Sequence, residues 1–568
     1  MRNKHFLFDD MLPEEIFTPE DFHEEHKMLA DTTMKFINHK VMPALEKIEK
    51  QQFSETIRLM KEAGDLGLIS ADIPEEDGGL DLGKVSAAII SEIMALGRSF
   101  SITFGGQTGI GALPIAYFGT EKQKQIYLPR ILAGEMIAAY ALTEPSSGTD
   151  AMSIKTKAVL STCGTYYVLN GEKQWITNSA FADVFIVYAK VNGEKFTAFI
   201  VEKDYEGVTT STEEKKMGLN GSSTRSLILD NVKVPADNII GEVGRGHVIA
   251  FNVLNIGRHK IAASSLGTAK RSLELAVKYA NERKQFGRLL SNFNLIKDKI
   301  ATMATKIYAN ESVIYRTAGA IQTGFENMKK TGAHFAETIA QYVVECSINK
   351  IMSTEILDFV VDEAVQIHGG YGYMAEYEVE TLYRDSRINR IFEGTNEINR
   401  ILIASTLLKE YMQATQKEND ADGLLREERM LLQQMKKLYH STIFNVQENA
   451  LHHFNIEQEV AAFITDVVIS IYAIESVILR TEKAIKTSTQ EHVRQKIDYT
   501  KLFVYETSQL IGLKALNISH HIRAEDTFSK MASQLIMKCP ENIVDLKRRI
   551  ADTVIASEKY ISREKAVF

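Results

Sequence analysis

The stretch YALTEPSSGTDA, residues 140–151, marks the point where the patterning of this chain changes. Upstream, from about residue 20 to 135, apolar residues recur at helical spacing, broken by PEEDGGLDLG at 74–83. Downstream, as far as Pro235, come short β-branched and aromatic runs: TYYVLN, VFIVYAK, FTAFIVE and SLILDNVKV. Asn170-Gly171 and Asn192-Gly193 lie between such runs and predict hairpin turns, because this pair tolerates the positive φ angles of a tight turn. After Gly246 helical patterning returns and continues to the end. The expected fold class is mainly α with an inserted β domain. Its divisions are a helical domain at 1–139, the β domain at 140–245, a second helical domain at 246–415 and a helical extension at 416–568.

The extension contains a repeat. KIATMATKIYANESVIYRTAGAI (299–321) aligns without gaps to FITDVVISIYAIESVILRTEKAI (463–485), with identity at 12 of 23 positions, including Tyr308/Tyr472, Glu311/Glu475 and Arg316/Arg480. The extension is therefore expected to be a degenerate second copy of the preceding helical unit.

At 568 residues the chain exceeds a single core, and its 45% hydrophobic and 25% charged composition is that of a soluble globular protein. A net charge of −8 argues against nucleic acid as a partner, since phosphate neutralisation needs excess cations. Cys163, Cys346 and Cys539 are odd in number and far apart, which fits a reducing cytoplasm rather than a disulfide framework. MRNKHFLFDDMLPEE has too short an apolar run for a signal peptide and too many acids for a transit peptide. The greasy stretch VAAFITDVVISIYAIESVIL (460–479) carries Asp466 and Glu475, costly in hydrocarbon, so it is expected to be a buried helix.

Several motifs could carry chemistry. No G-x-G-x-x-G follows a strand, so a Rossmann dinucleotide site is not expected. FHEEHKM pairs His23 with His26 but lacks the H-E-x-x-H pattern, and a surface helix without metal is the better reading. The turn at 140–151 can offer backbone N–H groups and the hydroxyls of Thr143 and Thr149 to a ligand, or be a plain turn. Trp175, the single tryptophan, is either a core anchor or, with Thr177 on the same strand, a wall for a flat ring. In ERKQFGR, Arg283 can pair with phosphate and Phe286 can stack on a planar ring. In AVQIHGGYGYM, Gly369 and Gly370 allow close backbone approach or cap a helix. Glu393, between Phe392 and Gly394 in RINRIFEGTNEINR (387–400), is either a solvated ion-pair partner of Arg390 or Arg400, or a base in a partly apolar pocket.

Taken together, TEPSSGTD, WITN, RKQFG, QIHGGYGY and IFEGTNEI, in this order, resemble the acyl-CoA dehydrogenase flavoprotein family over residues 20–410. With its tail the chain looks most like the very-long-chain branch. The resemblance implies a helical N-terminal domain, a β-barrel-like middle domain and a C-terminal four-helix bundle, with FAD as cofactor. It implies that Tyr140, Leu142, Thr143, Trp175, Thr177 and Thr395 contact FAD, and that Thr149 touches cofactor or substrate. Arg283, Phe286, Gln366 and Gly370 match positions that reach the FAD of a neighbouring subunit, so a homo-oligomer is expected. Phe293 and Asn294 depart from the His-Gln that relatives often carry there.

Glu393 matches the family's catalytic base, Gly394 a close approach to substrate, and Arg258 an arginine near the CoA end. Gly257 stands where a few relatives place the base instead, so Glu393 has no rival. The implied reaction is α,β-dehydrogenation of fatty acyl-CoA to trans-2-enoyl-CoA in β-oxidation, with an electron-transferring flavoprotein as acceptor. An acyl-CoA oxidase or a non-catalytic assembly protein on the same fold are the alternatives. In SITFGGQTGIGALP, Gly105, Gly106 and Gly109 match the floor of the acyl pocket, and the space they leave predicts long chains, unless they serve close helix packing. A tail that copies a bundle helix can dock where a second dimer would sit, which predicts a homodimer. Membrane contact is not expected, because no comparably basic amphipathic stretch is present.

Overall fold

The computed structural model describes residues 5–331, 335–411, 424–487, 490–536 and 539–561. They fall into two compact units, one built from residues 24–267 and 321–342, the other from 5–23, 268–320 and 343–561.

The first unit opens with helices α1 (Glu24–Phe36), α2 (Phe53–Asp65), α3 (Gly83–Met94), α4 (Ser99–Gly105) and α5 (Glu121–Leu132). Helix α3 is apolar nearly all round and accordingly buried along almost its whole length. Helix α5 starts at a capping box, with Thr120 Oγ1 accepting the Gln123 N–H while the Gln123 side chain accepts the Thr120 N–H. The surface helix expected around FHEEHKM is only half correct. His23 is exposed, whereas His26 lies buried on the inner face of α1.

The β domain of this unit is an eight-stranded sheet. Its strands are β1 (Ala138–Ala141), β2 (Lys157–Leu160), β3 (Tyr166–Thr177), β4 (Val184–Val191), β5 (Lys195–Glu202), β6 (Val208–Thr210), β7 (Thr224–Pro235) and β8 (Ile239–Ile240). They run in the order β6-β7-β3-β2-β4-β5-β8, with β1 parallel to β4. Strands β4 and β5 are apolar on both faces and form the buried centre. Asn192 (φ 53°) and Gly193 (φ 80°) make the expected turn between them. Asn170-Gly171 does not make a turn. It lies within β3 at a bulge against β7, where Asn170 Oδ1 accepts the Asn231 N–H at 2.8 Å. Glycine is required there because a Cβ would come within 2.4 Å of Thr156 Oγ1.

Helix α6 (Gly246–Glu282) begins in the first unit and ends in the second. A short hairpin follows, β9 (Lys284–Gln285) with β10 (Arg288–Leu289). Next come α7 (Asn294–Thr331), α8 (Val343–His368), α9 (Glu378–Ser386) and α10 (Asn396–Tyr411). The tail supplies α11 (Arg426–Glu448), α12 (Gln458–Thr487), α13 (Gln490–Ile518) and α14 (Ile543–Ser557).

Helices α7 and α12, which carry the repeat, pack as images of each other. Arg316 meets Glu475 at 2.6 Å and Arg480 meets Glu311 at 2.8 Å. Each guanidinium also covers the tyrosine of the other copy, Arg316 over Tyr472 at 4.3 Å and Arg480 over Tyr308 at 4.5 Å. The tyrosine hydroxyls follow suit, Tyr308 bonding Thr481 at 2.7 Å and Tyr472 bonding Thr317 at 3.0 Å. Such i-to-j and j-to-i exchange is the signature of a two-fold interface, made here within one chain. Helix α12 is long and apolar enough to cross a membrane but is mostly buried in this bundle. The two acids of its apolar stretch are paired, Asp466 with Arg400 and Lys514, and Glu475 with Arg316 and Lys436.

Candidate active site

In the first unit, a buried ion pair fixes the turn that follows β1. Lys173 Nζ, fully enclosed, donates to Glu144 Oε1 at 2.7 Å and to the Leu142 carbonyl at 3.1 Å. Glu144 in turn accepts the Thr156 N–H at 3.0 Å, and the Gln174 N–H donates to the Thr143 carbonyl at 2.8 Å. Leu142 is buried and Thr143 half-buried, while Gly148 and Thr149 remain exposed at the tip. Any Cβ at Gly148 would meet only open space. Tyr140 packs its ring on Tyr188 with centroids 5.1 Å apart.

The inward turn of Lys173 has a counterpart at Trp175. The β3–β7 register shifts between Lys173 and Ile176, and Trp175 adopts φ 58°. Its indole is thereby turned outward and is 59% exposed, whereas Ile176 is buried. Trp175 is thus not a core anchor; it presents a flat face beside half-buried Thr177.

In the second unit, Glu393 sits on the short loop entering α10. Its φ of 56° is left-handed, as is that of Gly394 at 81°. A non-glycine residue in this region stores on the order of 1–3 kcal/mol and persists only where its surroundings impose it. The constraint is visible: the Gly394 carbonyl accepts from buried Lys350 Nζ at 2.9 Å and from Asn399 Nδ2 at 2.8 Å. Lys350 also donates to Asn396 Oδ1 at 2.7 Å, and Thr395 Oγ1 caps α10 by accepting the Ile398 N–H at 3.3 Å. Phe392 is half-buried, and Glu393 Oε2 is shielded from solvent. The nearby arginines have other carboxylates. Arg390 pairs with Asp358 at 2.9 Å, and Arg400 with Glu355 at 2.7 Å and Asp466 at 3.0 Å. Arg390 and Arg400 are thus each engaged by carboxylates other than Glu393, and the constrained left-handed loop fits the base reading of Glu393.

The same unit contains a cavity of about 480 Å³ lined by Arg283, Gln366, Gly370, Tyr279, Tyr371 and Met374 among others. Three residues assigned to cofactor by resemblance thus share one wall. Arg283 has no carboxylate beside it among the described residues and lies 5.4 Å from the centroid of the Tyr371 ring, so its charge is available to a phosphate. Gly369 ends α8 with φ 58°, and Gly370 leaves open space where a Cβ would stand. Phe286 occupies the tip of the β9–β10 hairpin with φ 52° and is 93% exposed. Phe293, at the departure from the usual His-Gln, instead lies 3.9 Å under the Arg288 guanidinium. Arg258, carried on α6 in the first unit, is buried and donates to Asn255 Oδ1 at 2.8 Å.

Two supports went unread in the sequence, Lys350 and the Lys173–Glu144 pair. A lone lysine inside the apolar segment ECSINKIMSTEIL is the available signal for the first. These features fit a bound flavin dinucleotide: exposed aromatic faces, a free guanidinium, unfilled glycine positions and a carboxylate with a shielded oxygen.

Comparison with known proteins agrees. Family models described as acyl-CoA dehydrogenase N-terminal, middle and C-terminal domains match residues 23–135, 139–232 and 244–408. A further model, also described as an acyl-CoA dehydrogenase C-terminal domain, matches 444–536 in the tail. The chain is 48% identical to a probable acyl-CoA dehydrogenase of Bacillus subtilis, across 98% of both chains. It is 42% identical to the very long-chain specific acyl-CoA dehydrogenase of Rattus norvegicus, over 64% of this chain and 53% of that one. A crystal structure of an acyl-CoA dehydrogenase complexed with FAD from Bacillus anthracis superimposes with a TM-score of 0.94 at 50% identity, covering 98% of this chain and 99% of that one. On these matches and this geometry, the chain belongs to the acyl-CoA dehydrogenase family.

Proposed function

We propose that the protein is an FAD-dependent dehydrogenase of long-chain fatty acyl-CoA, acting in β-oxidation in the cytoplasm and passing electrons to an electron-transferring flavoprotein. The observation that carries this reading is the strained backbone of Glu393, held by Lys350 and Asn399 through the Gly394 carbonyl. Such a device aims a carboxylate at one place.

In the proposed reaction Glu393 accepts the α-proton of the thioester as the β C–H bond breaks and the α,β double bond forms. FAD, when bound, supplies the acceptor for the β-hydride. The Glu393 N–H donates to the thioester carbonyl, which stabilises the enolate-like charge that makes the α-proton acidic enough to leave. Half-buried Phe392 flanks the carboxylate, one oxygen of which is shielded from water. The product is a trans-2-enoyl thioester, and the proton on Glu393 passes to solvent. Tyr140, Leu142, Thr143, Trp175 and Thr177 hold the flavin ring. Arg283, Phe286, Gln366 and Gly370 hold the dinucleotide of the other subunit.

The long-chain reading is supported by the glycines of 105–109. Gly106 is not empty, since a Cβ there would lie 3.2 Å from Asn178 Nδ2. Gly105 has nothing within 4 Å, and buried Gly109 meets only Lys260 Cδ at 3.9 Å. The open space beside half-buried Gly105 and the loose contact at Gly109 support a long acyl tail. The two-fold-like pairing of α7 with α12 covers within one chain a face that could otherwise meet another bundle, which supports a homodimer. Anaerobic titration with palmitoyl-CoA tests the reading. Bleaching of the flavin band is expected, and an unchanged spectrum with every acyl-CoA would overturn it. Oxygen uptake without any other acceptor would identify an oxidase instead.

A further inference from the structure

Lys260 is a buried lysine that the proposed reaction does not use. It lies on α6 within the first unit, 8% exposed, with Nζ donating to the Thr108 carbonyl at 3.0 Å and to Asp72 Oδ1 at 3.3 Å. Asp72 also accepts from Lys84 at 2.9 Å, and Lys84 donates to the Tyr117 hydroxyl at 2.8 Å. Two ammonium groups thus share one buried carboxylate, an arrangement harder to explain by stability than a single pair. Position explains it better. The polar end of Lys260 is tied back to Thr108 and Asp72, while Cδ of its stem is the one side-chain atom within 4 Å of a Cβ built on Gly109. Gly105, one turn earlier on the same face, opens onto space.

We propose that Lys260 is a specificity-determining residue that sets the upper limit of acyl length. Its methylene stem borders the space beside Gly109, with Cδ 3.9 Å from where a Cβ there would stand, next to the open space at Gly105. Lysine suits the task because its stem is apolar while its head is polar, so a hydrocarbon tail meets methylenes rather than charge. The stem cannot swing aside without breaking the bonds to Asp72 and Thr108 in a buried setting, so the wall is rigid. Lys84 stays on Asp72 when Lys260 is removed, which keeps that carboxylate paired. The inference rests on the acyl-CoA reading above.

The test is a kcat/KM profile for saturated acyl-CoAs from octanoyl to tetracosanoyl, measured on the wild type, Lys260→Ala and Lys260→Met. Lys260→Ala is expected to move the maximum about two carbons longer and to raise the ratio of longest to optimal substrate roughly tenfold, the scale of a methylene or two in an apolar pocket. Lys260→Met keeps the length of the stem but not its anchors, so its maximum should fall between those of the wild type and Lys260→Ala. Lys260→Val carries the same expectation as alanine should the larger cavity unfold the domain. A shortened side chain whose profile superimposes on that of a working wild type overturns the inference and leaves the acyl-CoA reading intact. A wild type that oxidises no acyl-CoA overturns both.

Discussion

Arg480 and Glu311 meet at 2.8 Å with both side chains wholly buried, and the pair is mirrored by Arg316 and Glu475. Glu20 and Tyr560, from either end of the described sequence, join this cluster. Glu20 from the N-terminal arm accepts from Arg480 at 3.0 Å, and the Tyr560 hydroxyl donates to Glu311 at 2.9 Å. Removing one partner would strand the other charge away from water. Arg480→Met should therefore destabilise the second unit by about 3–5 kcal/mol. A urea midpoint equal to that of wild type would refute this.

Glu20 gives the same cluster a pH signature. Burial by itself would raise its carboxyl, but the charges of Arg480 and Lys496 outweigh burial and hold it at about 2, below the ordinary 4.5. A depressed carboxyl contributes stability that is present above its unfolded value. That contribution is lost as pH falls from about 4.5 towards 2. The scale is about 3 kcal/mol. Glu20→Gln should lower stability at neutral pH and flatten the acid limb of the stability profile. An acid limb as steep as in wild type would show that Glu20 is not its source.

Phe286 is 93% exposed, so it contributes little to its own subunit. Phe286→Ala should shift chain stability by no more than about 0.5 kcal/mol. Loss of one stacking face should nevertheless weaken FAD retention roughly tenfold. Equilibrium dialysis of the flavin alongside thermal melts separates the two effects. Unchanged flavin affinity would remove Phe286 from the site.

The internal two-fold predicts the assembly. Light scattering on the full chain should give twice the 63.8 kDa subunit mass. A tetramer would mean that the α7–α12 pairing does not substitute for a second dimer.

The order of helical and β segments was legible because hydrophobic period survives in the sequence; the runs at 166–202 became strands β3 to β5. Asn192-Gly193 read correctly as a turn. Asn170-Gly171 did not, because the glycine answers the distant Thr156, which no local pattern reports. Trp175 was ambiguous for a similar reason: only the register shift in β3 turns it outward. Glu393, Arg283, Gln366 and Gly370 were visible as motif members, and the last three line one cavity. Two supports, Lys350 under the Glu393 loop and the Lys173–Glu144 pair under the turn at 140–151, were invisible because a buried charge is recognised only by the partner that folding brings to it.

Anaerobic stopped-flow reduction of the flavin by palmitoyl-CoA in Glu393→Gln is the most direct test of the proposed chemistry. The amide conserves shape, so the variant should fold and bind FAD. Without a base to take the α-proton, the reduction rate should fall by roughly a thousandfold. Reduction at the wild-type rate would contradict the assignment of Glu393 and the mechanism built on it.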